Sequence, residues 1–406
     1  MAEKKEKKPN LLRLNPLDFT KLTPVRKARI EAAPARELRP ADTYVPNRIA
    51  NALHPDVQYL KVTEIIEHDC DNKSYILGPD HAKGTDALAW FSAGQYLSLS
   101  MEIGESFATR PYSIASSPND ALKGEYRITV RRTAGGFVSG HILDTWKIGT
   151  PVTASQPLGE FTYEPLRDAK HIIGLAGGSG ITPFRSLAYA VAEGIEDAQM
   201  TLLYGSRTKN DALFDEEFTA LAEKCPAFRY VNVLSEETRD GCEHGFLTAE
   251  LIRKYAPEGE YSVFVCGPSA MYRFLDEELP KLGLRRKFIR RELFGECRDP
   301  AKEEGYPGSK AASYQRTVRV SGKDTVMTCR ADESLLAAME RAGVKAPSHC
   351  RSGECGWCRS KLVSGEVFVP KRMDGRREAD FLYGFIHPCC TFPLSDIVLD
   401  VPPFHP

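Results

Sequence analysis

Three cysteines, Cys350, Cys355 and Cys358, fall within nine positions of the stretch SHCRSGECGWCRSKL, and Cys389 and Cys390 follow about thirty residues later. Thiols this close can bind metal, exchange disulfides or simply pack. Disulfide exchange needs only one close pair, and a structural zinc site usually brings two C-x2-C knuckles where this chain has one. C-x4-C-x2-C with a distant fourth cysteine is the spacing by which four thiolates hold a plant-type [2Fe-2S] cluster, and the residues favour that reading over zinc or packing. Gly353 and Gly356 let the loop fold tightly, so that backbone N–H groups can face sulfur and offset its negative charge.

A cluster stores one electron, so something must load it. In RPYSIASSP, Arg110, Tyr112 and Ser113 supply a cation for a phosphate, an aromatic ring for a flavin and a small hydroxyl for the flavin nitrogen that receives hydride. On a strand, Arg110 and Tyr112 share one face and Ser113 takes the other, so the pattern alone leaves the site open. In GLAGGSGITPF, Gly177, Gly178 and Gly180 around Ser179 allow the backbone to approach a pyrophosphate, while Thr182 and a helix N-terminus add donors and a favourable dipole. In VFVCGPSAMY, Cys266, Gly267 and Pro268 close a strand at the edge where open α/β sheets bind ligands; a buried cysteine before a turn is the plainer alternative.

These residues need distinct scaffolds. From Val57 to about Pro165, short apolar runs alternate with turn signals, as in YLKVTEII, GQYLSLSM and YRITVRR, the rhythm of an antiparallel barrel or sandwich. From Leu166 to Glu296, apolar strands alternate with helical stretches, HIIGLA before TPFRSLAYAVAEG and MTLLYG before ALFDEEFTALAEK, which implies a parallel sheet with helices on its faces. Residues 297–313 are charged, contain Gly and Pro, and read as a linker. Beyond them YQRTVRV and TVMTCR form a hairpin, and Asp332 is placed to cap a helix whose apolar face is Leu335, Leu336, Met339 and Ala342 and which stops at Gly343. The expected division is a basic N-terminal extension (1–54), an antiparallel β-barrel flavin domain (55–165), an α/β parallel-sheet nicotinamide domain (166–296), the linker, and a [2Fe-2S] domain (314–406).

Composition narrows the partners. Lys+Arg 54 against Asp+Glu 55 leaves a formal charge of -1, so no global field attracts nucleic acid or an anionic membrane. No apolar run approaches the roughly 18 residues of a membrane span, and the N-terminus lacks a secretory apolar core. Eleven cysteines, five of them between positions 350 and 390, fit a reducing compartment, so the chain is expected to be cytoplasmic. The extension carries twelve Lys/Arg against six Asp/Glu; it reads as a partly disordered arm, with docking to an acidic partner as the second reading.

RPYSIASSP, the later GGFVSG, the glycine loop and the C-G-P turn, in this order, resemble the ferredoxin-NADP reductase superfamily. The C-terminal stretch resembles the plant-type ferredoxin domain, whose β-grasp fold matches the hairpin and helix. The resemblance implies that Arg110, Pro111, Tyr112 and Ser113 bind flavin and that Gly136, Phe137, Val138 and Ser139 cradle its pyrophosphate; Arg131 and Arg132 are further candidates for flavin contacts, one of them equally well read as a solvated strand residue. It also implies that the Cys266 turn lies beside the nicotinamide and that Glu292 and Phe294 of RRELFGE lie over the flavin ring. CCTFPLSD matches the family's C-x-x-x-P tail, which places the fourth cluster ligand on Cys389 with Cys390 as its competitor. Ser206 and Arg207 in YGSRTKNDALF are placed to bind a 2′-phosphate, yet Y-G-x-R also occurs in NADH-using relatives, and Phe214 stands where a tyrosine is expected. The balance favours NADH over NADPH, and SSP with GGFVS favours FAD over FMN.

Nicotinamide gives two electrons as a hydride and the cluster accepts one at a time, so a flavin must stand between them. The order of modules resembles reductase components of bacterial oxygenase systems. The expected function is therefore electron transfer from NAD(P)H through flavin and cluster to a protein acceptor such as an oxygenase component. The alternative keeps the cofactors and serves a non-oxygenase partner of anaerobic metabolism, a corrinoid or radical-type enzyme. A non-catalytic interaction module would have lost motif residues that are all present here. Arg351, Glu354 and Trp357 are the expected exposed rim at which an acceptor docks.

Overall fold

A computed structural model describes residues 16–33, 40, 43–293, 295–297 and 299–404. The chain forms two units, residues 1–50 and 51–406. The extension, expected to be a partly disordered arm, contains helix α1 (Pro16–Ala32) and α2 (Val45–Leu53); the Lys4 to Lys8 run lies outside the described residues. Among the described residues no helix is long and apolar enough to cross a membrane.

The second unit holds three main sheets. The first is antiparallel, with β1 (Val57–Glu67), β2 (Asn72–Pro79), β3 (Tyr96–Ile103), β4 (Ser106–Ser113), β5 (Tyr126–Arg131) and β6 (Pro151–Ser155) in the order β4-β3-β6-β1-β2-β5. Helices α3 (Pro118–Leu122) and α4 (Phe137–Thr145) follow β4 and β5. Alternate residues such as Leu97 and Leu99 turn inward onto Leu60, Leu77, Ile128 and Val152, so the sheet curls around its own core as a half-barrel.

The second sheet is parallel, with β7 (His171–Gly177), β8 (Gln199–Ser206), β9 (Phe228–Leu234), β10 (Glu243–His244), β11 (Ser262–Cys266) and β12 (Ile289–Glu292) in the order β10-β9-β8-β7-β11-β12. Helices α5 (Thr182–Ala192), α6 (Asp215–Lys224), α7 (Ala249–Tyr255) and α8 (Ser269–Glu278) connect the strands. The central strands β7 and β11 are buried almost throughout, as continuous apolar runs covered on both faces must be. Phe161, which follows the first sheet, packs edge-on to Phe184 with ring centroids 5.5 Å apart, so the flavin and nicotinamide domains share one core.

The third sheet contains β13 (Ser313–Val320), β14 (Lys323–Arg330), β15 (Ser360–Ser364), β17 (Phe385–Ile386) and β19 (Ile397–Val401), while β16 (Val367–Phe368) pairs β18 (Phe392–Pro393). The β13–β14 hairpin turns at Ser321 and Gly322, whose φ of 50° and 80° suit a tight turn of that kind. Helix α9 (Leu335–Arg341) buries Leu335, Leu336 and Met339 against this sheet, and α10 (Glu378–Tyr383) precedes β17. Its cap is Ser334, whose hydroxyl accepts from Ala337 N at 3.2 Å, not Asp332, which pairs with Arg330 at 2.9 Å. The helix starts after Ser334, which puts the acid two residues too far upstream.

Candidate functional site

The first two sheets and the third enclose one cavity of about 900 Å³. Arg110, Pro111, Tyr112 and Ser113 all line it, although strand neighbours face opposite ways, because β4 ends at its rim. Gly136, Phe137, Val138 and Ser139 enter from the start of α4, whose cap residue Gly136 makes no side-chain bond to the first N–H groups. Those donors remain free for an anion. Arg131 lies in the same wall and approaches Gly178, where a Cβ would sit 2.9 Å from its guanidinium. Its neighbour Arg132 is instead engaged by Asp144 at 2.7 Å and Asp71 at 3.5 Å.

The opposite wall is the switch point of the parallel sheet, where β7 lies between β8 and β11 and the chain turns in opposite senses on either side. Gly177 ends β7, Gly178, Ser179 and Gly180 make a single 3-10 turn, and Thr182 opens α5; all line the cavity with Cys266, Gly267 and Pro268. Gly180 lies so close to the C-G-P turn that a Cβ would be 2.6 Å from Gly267 N. The Thr182 hydroxyl donates to Ser179 O at 3.1 Å, so it braces the loop.

Glu292 is in register with Cys266 on the neighbouring strand, and both are buried. Burial pushes both well above their usual pKa, reinforced for Glu292 by the charges of Glu354 and Cys350 and for Cys266 by Glu292. Glu292 stands behind the cavity wall, and Phe294 lies outside the described residues. Ser206 ends β8 and Arg207 follows it, both outside the cavity lining, and Arg207 pairs with Asp211 at 3.0 Å. Phe214, which stands where a tyrosine is expected, is buried beneath Arg127 at 4.9 Å and Arg185 at 5.5 Å, with φ of 61°. It belongs to the domain junction, so its identity carries no information about the nucleotide.

The cysteines gather in twos. Cys358 Sγ lies 3.4 Å from Cys389 Sγ, while Cys350 and Cys355 share a side-chain hydrogen bond. Among the described residues no group of three or more His, Cys, Asp or Glu could hold one metal ion. Two close pairs of thiols suit a two-iron cluster, which takes two thiolates on each iron. Backbone N–H groups of Ser352, Cys355 and Trp357 point at Cys350 and Cys355 sulfur at 3.4 to 3.5 Å, the donors such a cluster needs. Cys390 sits behind the loop, donating to His387 O at 3.4 Å and lying where a Cβ on Gly353 would collide with it.

Three family models match in the same order. They are the oxidoreductase FAD-binding domain over residues 61–163, the oxidoreductase NAD-binding domain over 175–277 and the 2Fe-2S iron-sulfur cluster binding domain over 318–394. The 3-ketosteroid-9-alpha-monooxygenase ferredoxin reductase component of Mycobacterium tuberculosis is 30% identical over 349 residues, covering 84% of this chain and 94% of that protein. The chain belongs to the ferredoxin-NADP reductase superfamily. Within it, this reductase has the branch's C-terminal [2Fe-2S] domain. It is also 25% identical over 358 residues to the glycine betaine monooxygenase reductase subunit of Chromohalobacter salexigens, with 84% and 94% coverage. A solved phthalate dioxygenase reductase matches with a TM-score of 0.62 and 26% identity, covering 85% of this chain and 98% of that one.

The reductase is thus an NAD(P)H-dependent flavin and iron-sulfur oxidoreductase whose cofactors are FAD and a [2Fe-2S] cluster. The uncapped α4 terminus and Arg131 fit a flavin phosphate, and the glycine loop fits a dinucleotide. Sequence reasoning missed Arg273 of α8, which lines the cavity one turn beyond the C-G-P motif; a cation at that distance from a recognised turn was the available signal. It also misplaced Arg351. That side chain is 1% exposed and lines the cavity, so only Glu354 and Trp357 of the expected rim reach the surface. Trp357 is 54% exposed and stacks on His349 with centroids 4.5 Å apart.

Proposed function

We propose that this reductase oxidises NADH and passes the electrons one by one through a [2Fe-2S] cluster, which Cys350, Cys355, Cys358 and Cys389 would hold, to an oxygenase component, the partner class in its relatives' names. The observation that carries this reading is a single cavity whose wall includes the flavin strand, the glycine loop, the C-G-P turn and Arg351 of the cluster loop. Bound flavin supplies the conversion of one two-electron step into two one-electron steps. The chain's residues orient the reactants. Ser113 is buried at the cavity edge and offers its hydroxyl to the flavin, while Cys266 lines the wall proposed for the nicotinamide, with Glu292 in register with it on the neighbouring strand. Preference for NADH follows from Arg207, whose charge is already matched by Asp211, leaving little to attract a 2′-phosphate.

The test is anaerobic stopped-flow reduction with NADH and NADPH in parallel, followed by electron paramagnetic resonance of the cluster. Wild type is expected to bleach near 450 nm, an approximate flavin band, faster with NADH. Cys355→Ser is expected to lose the cluster signal and reduction of a one-electron protein acceptor while keeping flavin bleaching. Wild type without flavin bleaching or a cluster signal, or faster with NADPH, overturns the reading.

A further inference from the structure

Glu340, on α9 of the ferredoxin domain, is a carboxylate that touches both the flavin strand and the cluster loop. Its side chain is 9% exposed. From the flavin domain it accepts from Thr109 N at 3.1 Å and from Arg110 at 3.1 and 3.2 Å. From the cluster loop it accepts from Arg351 at 2.6 Å. Glu296, just past the nicotinamide domain, pairs with Arg351 and lies 4.0 Å from Arg110. Two arginines and two carboxylates thus form a neutral quartet where the flavin domain, the nicotinamide domain's end and the cluster loop meet.

The quartet has features beyond ordinary packing. Arg351 adopts a φ of 58°, a left-handed conformation that a non-glycine side chain keeps only when its surroundings enforce it. Its place, directly after Cys350, means that whatever holds Arg351 also holds the loop. Arg110, at the other end, lines the cavity and is the cation offered to a flavin phosphate. The same face of the flavin sheet touches the loop at Ser348, whose hydroxyl bonds Thr109 and whose carbonyl accepts from Ser98 at 3.5 Å.

We propose that Glu340 is a positioning residue for electron passage from flavin to cluster, tethering the flavin-side Arg110 and the cluster-loop Arg351 to one carboxylate. The inference rests on the functional reading above. The hydride of NADH brings two electrons; the cluster takes one at a time, one ferric iron becoming ferrous, and each electron leaves to an external one-electron acceptor before the next arrives. Through-space transfer depends steeply on separation, so the tether acts on this step; the glycine loop and the C-G-P turn proposed for the nicotinamide belong to the parallel sheet, whereas Glu340 bonds the flavin strand and the cluster loop. Because Glu340 also neutralises Arg110, its removal leaves the quartet with a net positive charge that attracts the flavin phosphate.

The experiment uses full-length holoenzyme with Glu340→Gln, which keeps the shape and removes the charge, beside Glu340→Ala. NADH is the probe, flavin bleaching and freeze-quenched cluster resonance are followed separately, and flavin affinity is titrated on apoprotein. In Glu340→Gln, bleaching is expected within about twofold of wild type, cluster reduction slower by about tenfold or more, and flavin bound severalfold more tightly. A loosened structure would weaken flavin binding, so tighter binding with slower internal transfer separates tethering from general damage. Cluster reduction at the wild-type rate in Glu340→Gln, full rescue of the Ala variant's defect by Gln, or weaker flavin binding overturns the proposal. Should the Ala variant not retain its cluster, Glu340→Gln alone decides. If wild type itself bleaches but never reduces its cluster, the functional reading fails first; if wild type reduces it and Gln does so equally fast, only the role of Glu340 fails.

Discussion

Replacing Gly180 by alanine tests the nicotinamide site most directly. Gly180 has no left-handed φ, so alanine can adopt its backbone conformation and the effect reads the close approach alone. A Cβ there would lie 2.6 Å from Gly267 N and closer still to the Cys266 carbonyl, where ordinary contact begins at 3.4 Å. Both neighbours are backbone, so relief must come from separating the glycine loop from the C-G-P turn by about 1 Å, a misplacement that costs roughly 100-fold in rate, or about 2.7 kcal/mol. The assay is anaerobic flavin bleaching at saturating NADH, with cluster content checked after chemical reduction. Gly205→Ala is the control: it lies beside Gly177 on β8, and its Cβ would meet Ala176 O at an ordinary 3.6 Å. Bleaching in Gly180→Ala within threefold of wild type, or an equal defect in Gly205→Ala, would refute the reasoning.

Two more predictions concern the cysteines and the domain junction. Cys389→Ser is expected to abolish the cluster signal and Cys390→Ser to keep it, since only Cys389 Sγ approaches Cys358 Sγ; the reverse result in resonance spectra places the fourth ligand on Cys390. Glu217 joins Arg185 at 2.7 Å to Arg127 of β5 at 3.3 Å, bridging the nicotinamide and flavin domains. Burial pushes its pKa up, but Arg185 and Arg127 outweigh this and hold it below the usual 4.5. The folded state therefore binds fewer protons near that pH than the unfolded chain, so this contribution is complete above 4.5 and is lost as pH falls below it. Thermal melts of Glu217→Gln should lie below wild type at neutral pH and converge with it in acid; a gap that persists or widens in acid contradicts the assignment.

The parts of the molecule legible in the sequence are those whose geometry is local. Cys350, Cys355 and Cys358 sit on one loop, the glycine loop is a single turn between strand and helix, and the strand rhythms record how each sheet is covered. Asp332 as a cap failed for a local reason of another kind, since capping depends on the exact residue at which the helix begins, and pattern alone locates that start only to within a turn.

Sequence by itself determined which cofactors the chain can hold, because spacing along a short loop sets which thiolates and backbone amides reach the same atoms. Tertiary structure decided how those sites are joined. Cys389 comes to Cys358 from 31 positions away, Phe214 turns into a domain junction, and Arg351 leaves the surface for a buried quartet with Glu340 and Arg110, which lies 230 positions before Glu340. Hydrophobic periodicity records whether a residue faces a core, and carries nothing about which distant carboxylate will meet a given guanidinium once separate domains dock. The passage from flavin to cluster depends on that docking.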